Sequence, residues 1–264
     1  MSQQVPSVSG DWISPERFSL SSSISELWRY PVRAWVHRDL VSAWVKREWS
    51  ARFLGTALGP LWPFVQPLAL FAVYAFVFSE LFGMRPATPD ASPALGAVWI
   101  FAGVLVWTSF AECLSRAAGA FFENRNLVQK SSFPADLLVL QPVLVSFATL
   151  GVGAAVFCCI SWFVAGTHPS SSQLAFSGVL IALHFAWLLG LALSLACAQV
   201  ILRDTASLLG VALTVWMFAT PIFWVADVAA LPAIEPWLAW IHANPMHSLL
   251  EAWRWILLGE SAAP

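Results

Sequence analysis

From Leu61 onward the chain alternates long apolar runs with short polar breaks. The runs are Leu61–Phe82, Leu95–Ala120, Leu137–Ala165, Leu174–Leu202 and Ala206–Ala226. Each reaches or passes the ~20 residues a helix needs to cross a ~30 Å hydrocarbon core. The third and fourth exceed it and are expected to tilt or project into the interface. Before the runs lies a different pattern. Val32, Trp35, Val36, Leu40, Trp44 and Val45 recur at helical spacing, interleaved with Arg29, Arg33, Arg38, Lys46, Arg47 and Arg52. Trp beside Arg and Lys predicts an amphipathic helix lying in a membrane interface, running to about Phe53; a soluble helix packed on a partner is the alternative. Ser23 and Glu26 have capping-box spacing, and Pro31 is expected to end that short helix early. After the fifth run, Pro232–Gly259 mixes Trp237, Trp240, Trp253 and Trp255 with His242, His247, Glu251 and Arg254. That polar load is costly for a spanning helix. One or two short helices at the outer interface, lying on it or dipping in and out, are expected, with Asn244-Pro245 as the break.

The predicted fold class is therefore an all-α integral membrane protein. Residues 1–22, rich in Ser and Pro, form a leader; 23–57 hold the amphipathic helix region; 58–264 form a transmembrane domain with five visible spans. Composition strengthens this reading. The chain is 59% hydrophobic and 11% charged, under half the ~25% charge of an ordinary globular domain. A soluble protein of this length cannot hide so much apolar surface. Placement of charge sets orientation. Eleven of the thirteen Lys and Arg residues fall on one side, seven of them before the first span, leaving only Arg85 and Arg254 on the other. The positive-inside rule puts the N-terminus in the cytoplasm of a multi-pass protein.

Candidate chemistry is sparse. Cys113, Cys158, Cys159 and Cys197 sit in apolar runs without CxxC spacing, and the five histidines form no ligand cluster, so neither metal nor structural disulfide is expected. Glu80, Glu112 and Arg116 are the charges inside the spans, and His184 the only histidine there. Glu112 and Arg116 are i,i+4 and read as a structural pair, with a role in transport as the alternative. No catalytic constellation and no phosphate-cradling loop appears: Lys130-Ser131-Ser132 lacks preceding glycines. If ATP drives this protein, another chain binds it. Phe64, Phe71, Tyr74, Phe78 and Phe82 fall near one face of the first span. They read either as packed or lipid-facing rings or as the lining of a conduit in which sugar rings slide over aromatic faces. Trp216, Phe218, Phe223 and Trp224 are the counterparts on the fifth span, where Thr220-Pro221 can kink the helix.

Several short motifs carry a resemblance. Arg47-Glu48, Arg52-Phe53, Leu58-Gly59, Leu61-Trp62 and Gln66-Pro67 open the first span. Asn126-Leu127-Val128-Gln129-Lys130 and Phe133-Pro134 precede the third. Arg203-Asp204, Thr220-Pro221-Ile222-Phe223-Trp224, Asn244-Pro245-Met246, Glu251-Ala252-Trp253-Arg254-Trp255 and Leu257-Leu258-Gly259 follow in order. Over about residues 47–259 the chain resembles the transmembrane subunits of type-2 ATP-binding-cassette exporters for O-antigen, capsule and teichoic-acid polymers.

The resemblance implies a homodimeric permease in the bacterial inner membrane, paired with two ATPase subunits and moving lipid-linked polysaccharide outward. ATP and Mg would sit on the partner; this chain would bind no cofactor, perform no catalysis and meet no nucleic acid. Glu123, Asn124, Arg125, Asn126 and Lys130 would contact the ATPase. The first and fifth spans would line the conduit. Trp35, Arg38, Trp44, Arg47 and Arg52 would hold the interface helix beside membrane lipid and the head group of the cargo. The family has a sixth span, so one is expected beyond Pro264. The rival classes are a membrane-embedded transferase of envelope synthesis and a non-transporting scaffold.

Overall fold

The computed structural model describes residues 29–53, 55–77, 93–125, 135–166, 168–226 and 232–259. Among these no strand occurs, and most of them are helical. Residues 29–36 are helical and His37 forms a turn, before α1, Arg38–Phe53. Pro31 lies within this helical stretch and does not end it. Proline's preset φ suits a helix wherever its missing N–H is not needed. The described residues divide into two compact units, with the boundary between Ala43 and Trp44. Within the first, the Arg38 guanidinium lies 5.1 Å from the centre of the Trp35 ring.

The second unit carries the remaining helices: α2, Trp62–Tyr74; α3, Pro93–Glu123; α4, Leu137–Ala165; α5, Ser171–Ile201; α6, Thr205–Ala219; α7, Leu238–Ala243; and α8, Pro245–Leu258. Among the described residues three stretches are long and apolar enough to cross a bilayer: Leu95–Glu123, Leu137–Val164 and Ser171–Ile201. Trp62–Val77 and Thr205–Ala219 are shorter apolar helices. The first ends in one wider turn at 75–77, and residues 78–82 of the run predicted there lie outside the described residues.

The core centres on α3, which packs against α4, α5, α8, α2 and α6. Its residues Val98, Phe101, Ala102, Val106, Phe110 and Ala117 are fully buried. A helix apolar on nearly every side belongs in the middle. Two reciprocal bonds between buried serines pin α3 to α4: Ser109 Oγ donates to the Ser146 carbonyl at 3.0 Å and Ser146 Oγ to the Ser109 carbonyl at 2.9 Å. The turn into α5 follows local rules. Gly166 closes α4 at φ 67°, where glycine carries no Cβ penalty. Ser170 and Gln173 then form a capping box.

The expectation for the fifth apolar run requires correction: it does not continue as a kinked helix to Ala226. α6 stops at Ala219, and Thr220 is extended at φ −104°, ψ 136°, because Pro221 disfavours helical backbone in the residue before it. The stretch Pro232–Gly259 divides into an exposed part and a buried part. A short 3-10 helix, Pro232–Trp237, and α7 expose Trp237 and Trp240. α8, however, returns into the bundle against α3 and α5, with Met246, Leu250 and Leu258 fully buried. Asn244-Pro245 is the break between α7 and α8, by the same pre-proline rule.

Candidate functional site: a charged mouth, an aromatic seam and a pinned re-entrant helix

The charged mouth arises from one pattern written twice. Glu48 and Arg52 on α1, and Glu112 and Arg116 on α3, are each a Glu followed four residues later by Arg. The i,i+4 spacing puts each pair on one helical face. Within α3, Arg116 Nε binds Glu112 Oε1 at 3.0 Å. The pairs also cross: Arg116 Nη1 lies 2.7 Å from Glu48 Oε1, and Arg52 Nη1 lies 3.1 Å from Glu112 Oε1. The predicted Glu112–Arg116 pair is present, and Glu48 and Arg52 are the partners that single-helix reasoning missed. The repeated spacing was the available signal. Arg52 is the most enclosed of the four side chains. Burial pushes its guanidinium below its ordinary pKa; Glu112 opposes that shift and Arg116 adds to it.

Behind the mouth opens a cavity of about 450 Å³ between α2, α3 and α4. Arg52, Glu112 and Arg116 line one part of it. Gln66, Thr108 and Thr149 line another, and Pro63, Pro67, Leu70, Phe101, Val104 and Leu105 form apolar wall.

The aromatic residues divide between seam and surface. Phe71 and Phe101 rings lie 5.3 Å apart, and Phe101 stacks on Phe157 at 5.6 Å. Tyr74 meets Phe223 at 5.9 Å, and Phe223 meets Phe218 at 6.4 Å. These contacts join the end of α2 to the broken end of α6. Trp216 enters a cluster with Trp107, Phe110 and Trp187, with centroids 6.0, 5.5 and 6.2 Å away. Edge-on and tilted geometries at such distances contribute roughly 0.5–1.5 kcal/mol per pair beyond burial. Phe64 and Phe218 instead face outward, 49% and 62% exposed. Trp224 is half-buried, its indole N–H donating to the Phe218 carbonyl at 3.3 Å. Phe78 and Phe82 lie outside the described residues.

The break in α6 is held by side chains from α8. Ending the helix frees carbonyls at Pro221 and Ile222, and Arg254 takes both, Nη1 to Pro221 at 2.9 Å and Nη2 to Ile222 at 3.0 Å. Nη1 also binds Glu251 Oε1 at 2.7 Å, and the guanidinium carbon lies 3.3 Å from the Trp99 ring centre. Arg254 is 1% exposed. Asn244 makes a second tie: Trp216 Nε1 donates to its Oδ1 at 2.9 Å, and its Nδ2 donates to Thr220 Oγ1 at 2.9 Å. Its Oδ1 also caps α8 through the Met246 N–H at 3.0 Å. Neither role is visible in sequence beyond the presence of Arg and Asn in an apolar region.

Of the positions assigned to a coupling loop, Glu123 and Arg125 are exposed and Asn124 is half-buried, donating to the Ala120 carbonyl at 2.9 Å. Asn126 and Lys130 lie outside the described residues. Trp35 is 69% exposed, Arg38 and Arg47 are exposed, and Trp44 and Arg52 are half-buried.

The description "ABC-2 type transporter" matches residues 39–258, from α1 through the last turn of α8. The chain belongs to the ABC-2 type transporter family. Its relatives include a protein of Myxococcus xanthus named O-antigen export system permease protein RfbA, 28% identical over 232 residues. The alignment covers 88% of this chain and 82% of that one. A Klebsiella pneumoniae protein of the same name is 23% identical over 221 residues, covering 82% of this chain and 79% of the relative. The long apolar helices thus belong to a multi-pass membrane component of an ABC-2 transporter.

Proposed function

We propose that this chain is the permease subunit of an ATP-driven exporter carrying lipid-linked O-antigen outward across the bacterial inner membrane. The observation that carries the reading is coverage: relatives named as O-antigen export permeases align over more than four-fifths of the chain. In this reading Trp62–Val77 and Thr205–Ala219 join the three long helices as spans, making five, and the N-terminal helices lie at the cytoplasmic interface. The positive-inside distribution of Lys and Arg supports that orientation. The permease works as a homodimer with two ATPase subunits, which bind ATP and Mg and meet this chain at Glu123–Pro134.

The outward-facing Phe64 and Phe218 suit a conduit shared with a second copy, where flat rings offer sugars contact without fixed hydrogen bonds. Tyr74 and Phe223 link the two conduit helices within one protomer. The genetic test is deletion of the gene in its host. Surface O-antigen should fall to background while lipid-linked glycan accumulates on the cytoplasmic face, and the restored gene should reverse both. A glycan altered in composition, rather than in location, would instead support the transferase reading.

A further inference from the structure

The cavity between α2, α3 and α4 has a graded lining. Along α3 it runs from Arg116 and Glu112, past Ser109 and Thr108, to Leu105, Val104 and Phe101. Fifteen residues at a ~1.5 Å rise span about 22 Å. One leaflet, head-group zone included, is about 20–22 Å deep. Charge, hydroxyl and hydrocarbon therefore follow one another along the wall over the depth of half a bilayer. The cavity volume of about 450 Å³ falls within the ~300–1,000 Å³ of pockets that hold ligands. An amphiphile with a charged head and an apolar tail fits this lining.

The mouth decides which head. It presents two guanidinium groups and two carboxylates, already cross-paired. A purely anionic head approaching Arg116 also meets Glu48 and Glu112, and a purely cationic one meets Arg52 and Arg116. A head carrying both an ammonium and a phosphate exchanges one set of charge-assisted contacts for another without leaving a net charge behind. Below it, the Thr108 and Thr149 hydroxyls donate to their own helices, to the Leu105 and Val145 carbonyls at 3.2 and 3.0 Å. Gln66 adds a side-chain amide, an N–H₂ donor and a carbonyl acceptor, to the same lining.

We propose that this cavity is a binding site for a zwitterionic membrane phospholipid, held within one protomer and distinct from the transported glycan. The lipid wedges between α2 and the α3–α4 pair, with its head in the Glu48–Arg52–Glu112–Arg116 cluster. This assignment does not depend on what the transporter carries.

The test uses the full chain with its partner subunits, delipidated in mild detergent and followed by native mass spectrometry. Phosphatidylethanolamine is titrated against phosphatidylglycerol. The expected result is a tightly held phosphatidylethanolamine, preferred about tenfold, equivalent to about 1.4 kcal/mol. Filling the cavity from both walls with Thr108→Phe and Thr149→Phe should weaken its retention about tenfold or more. Val200→Phe, on an exposed position of α5, should leave it unchanged. The wild-type titration decides alone if the filled variant does not fold. Equal retention by the filled variant, preference for phosphatidylglycerol, or displacement by added lipid-linked glycan would each overturn the proposal.

Discussion

Arg254 and Arg116 both pair with a glutamate on their own helix, and their surroundings could hardly differ more. Arg254 is 1% exposed, lies against Trp99 and donates through Nη1 and Nη2 to two carbonyls freed by a broken helix, while its Nε–H is buried without a partner among the described residues. Arg116 is 42% exposed and shares its charge with Glu48 on a different helix, at the mouth of a cavity. A buried guanidinium held by a carboxylate and two carbonyls is costly to disturb, because whatever remains is stranded in low dielectric. An exposed pair is solvated either way and contributes at most about 1 kcal/mol. One ion-pair chemistry thus fixes α8 against the broken end of α6, and at the junction of α1 and α3 forms a solvated, weaker link.

That contrast can be broken from its strong side first. Arg254→Ala removes the donors for Pro221 and Ile222 and leaves a gap beside Trp99. A loss of about 3–5 kcal/mol is expected, read as a collapse of thermal stability in detergent. Arg254→Lys keeps the charge but not the planar fork, so it should recover only part of that loss. Full recovery would mean that charge alone holds the break. Next in size is Gly103→Ala. A Cβ there would stand 2.6 Å from Arg254 Nη2, and overpacking of this kind costs about 1–3 kcal/mol. Because Arg254→Lys removes that atom, the double variant should lose less than the sum of the singles. Additive losses would show that Gly103 and Arg254 do not meet.

Smaller effects follow. Asn244→Ala deletes the α8 cap and both ties to α6, for an expected loss of about 1–2 kcal/mol. Measured alongside Trp216→Phe, it should show coupling between the two positions. At the weak end, Glu48→Gln should shift unfolding by no more than about 1 kcal/mol. A larger shift would place the α1–α3 cluster among the structural locks and erase the contrast.

How much of this was legible in the sequence depended on the range of the interaction. The long apolar runs gave helices at Leu137–Ala165 and Ser171–Ile201 within a few residues of the expected bounds, because a local property decides them. Asn244-Pro245 was readable as a break for the same reason. Thr220-Pro221 looked like a kink yet ends its helix, since the freed carbonyls find Arg254 thirty residues away, which no local window contains. Glu112–Arg116 was visible as an i,i+4 pair, whereas the crossing to Glu48 depends on how α1 packs. The aromatic stripe of the first span showed as a face. Its division into inward Phe71 and outward Phe64 follows from the neighbours, not from the spacing.

The most direct test compares export per folded molecule in two variants. Arg254→Lys and Arg116→Glu are expressed in a host lacking the native gene. Surface O-antigen is then measured against the amount of folded permease recovered in the membrane. With Arg254→Lys the folded amount should drop while each remaining molecule exports at the wild-type rate. With Arg116→Glu the folded amount should stay near wild type and export per molecule should fall severalfold. Wild-type export per molecule from Arg116→Glu, at normal abundance, would contradict a working role for the charged mouth and with it the division between the two ends.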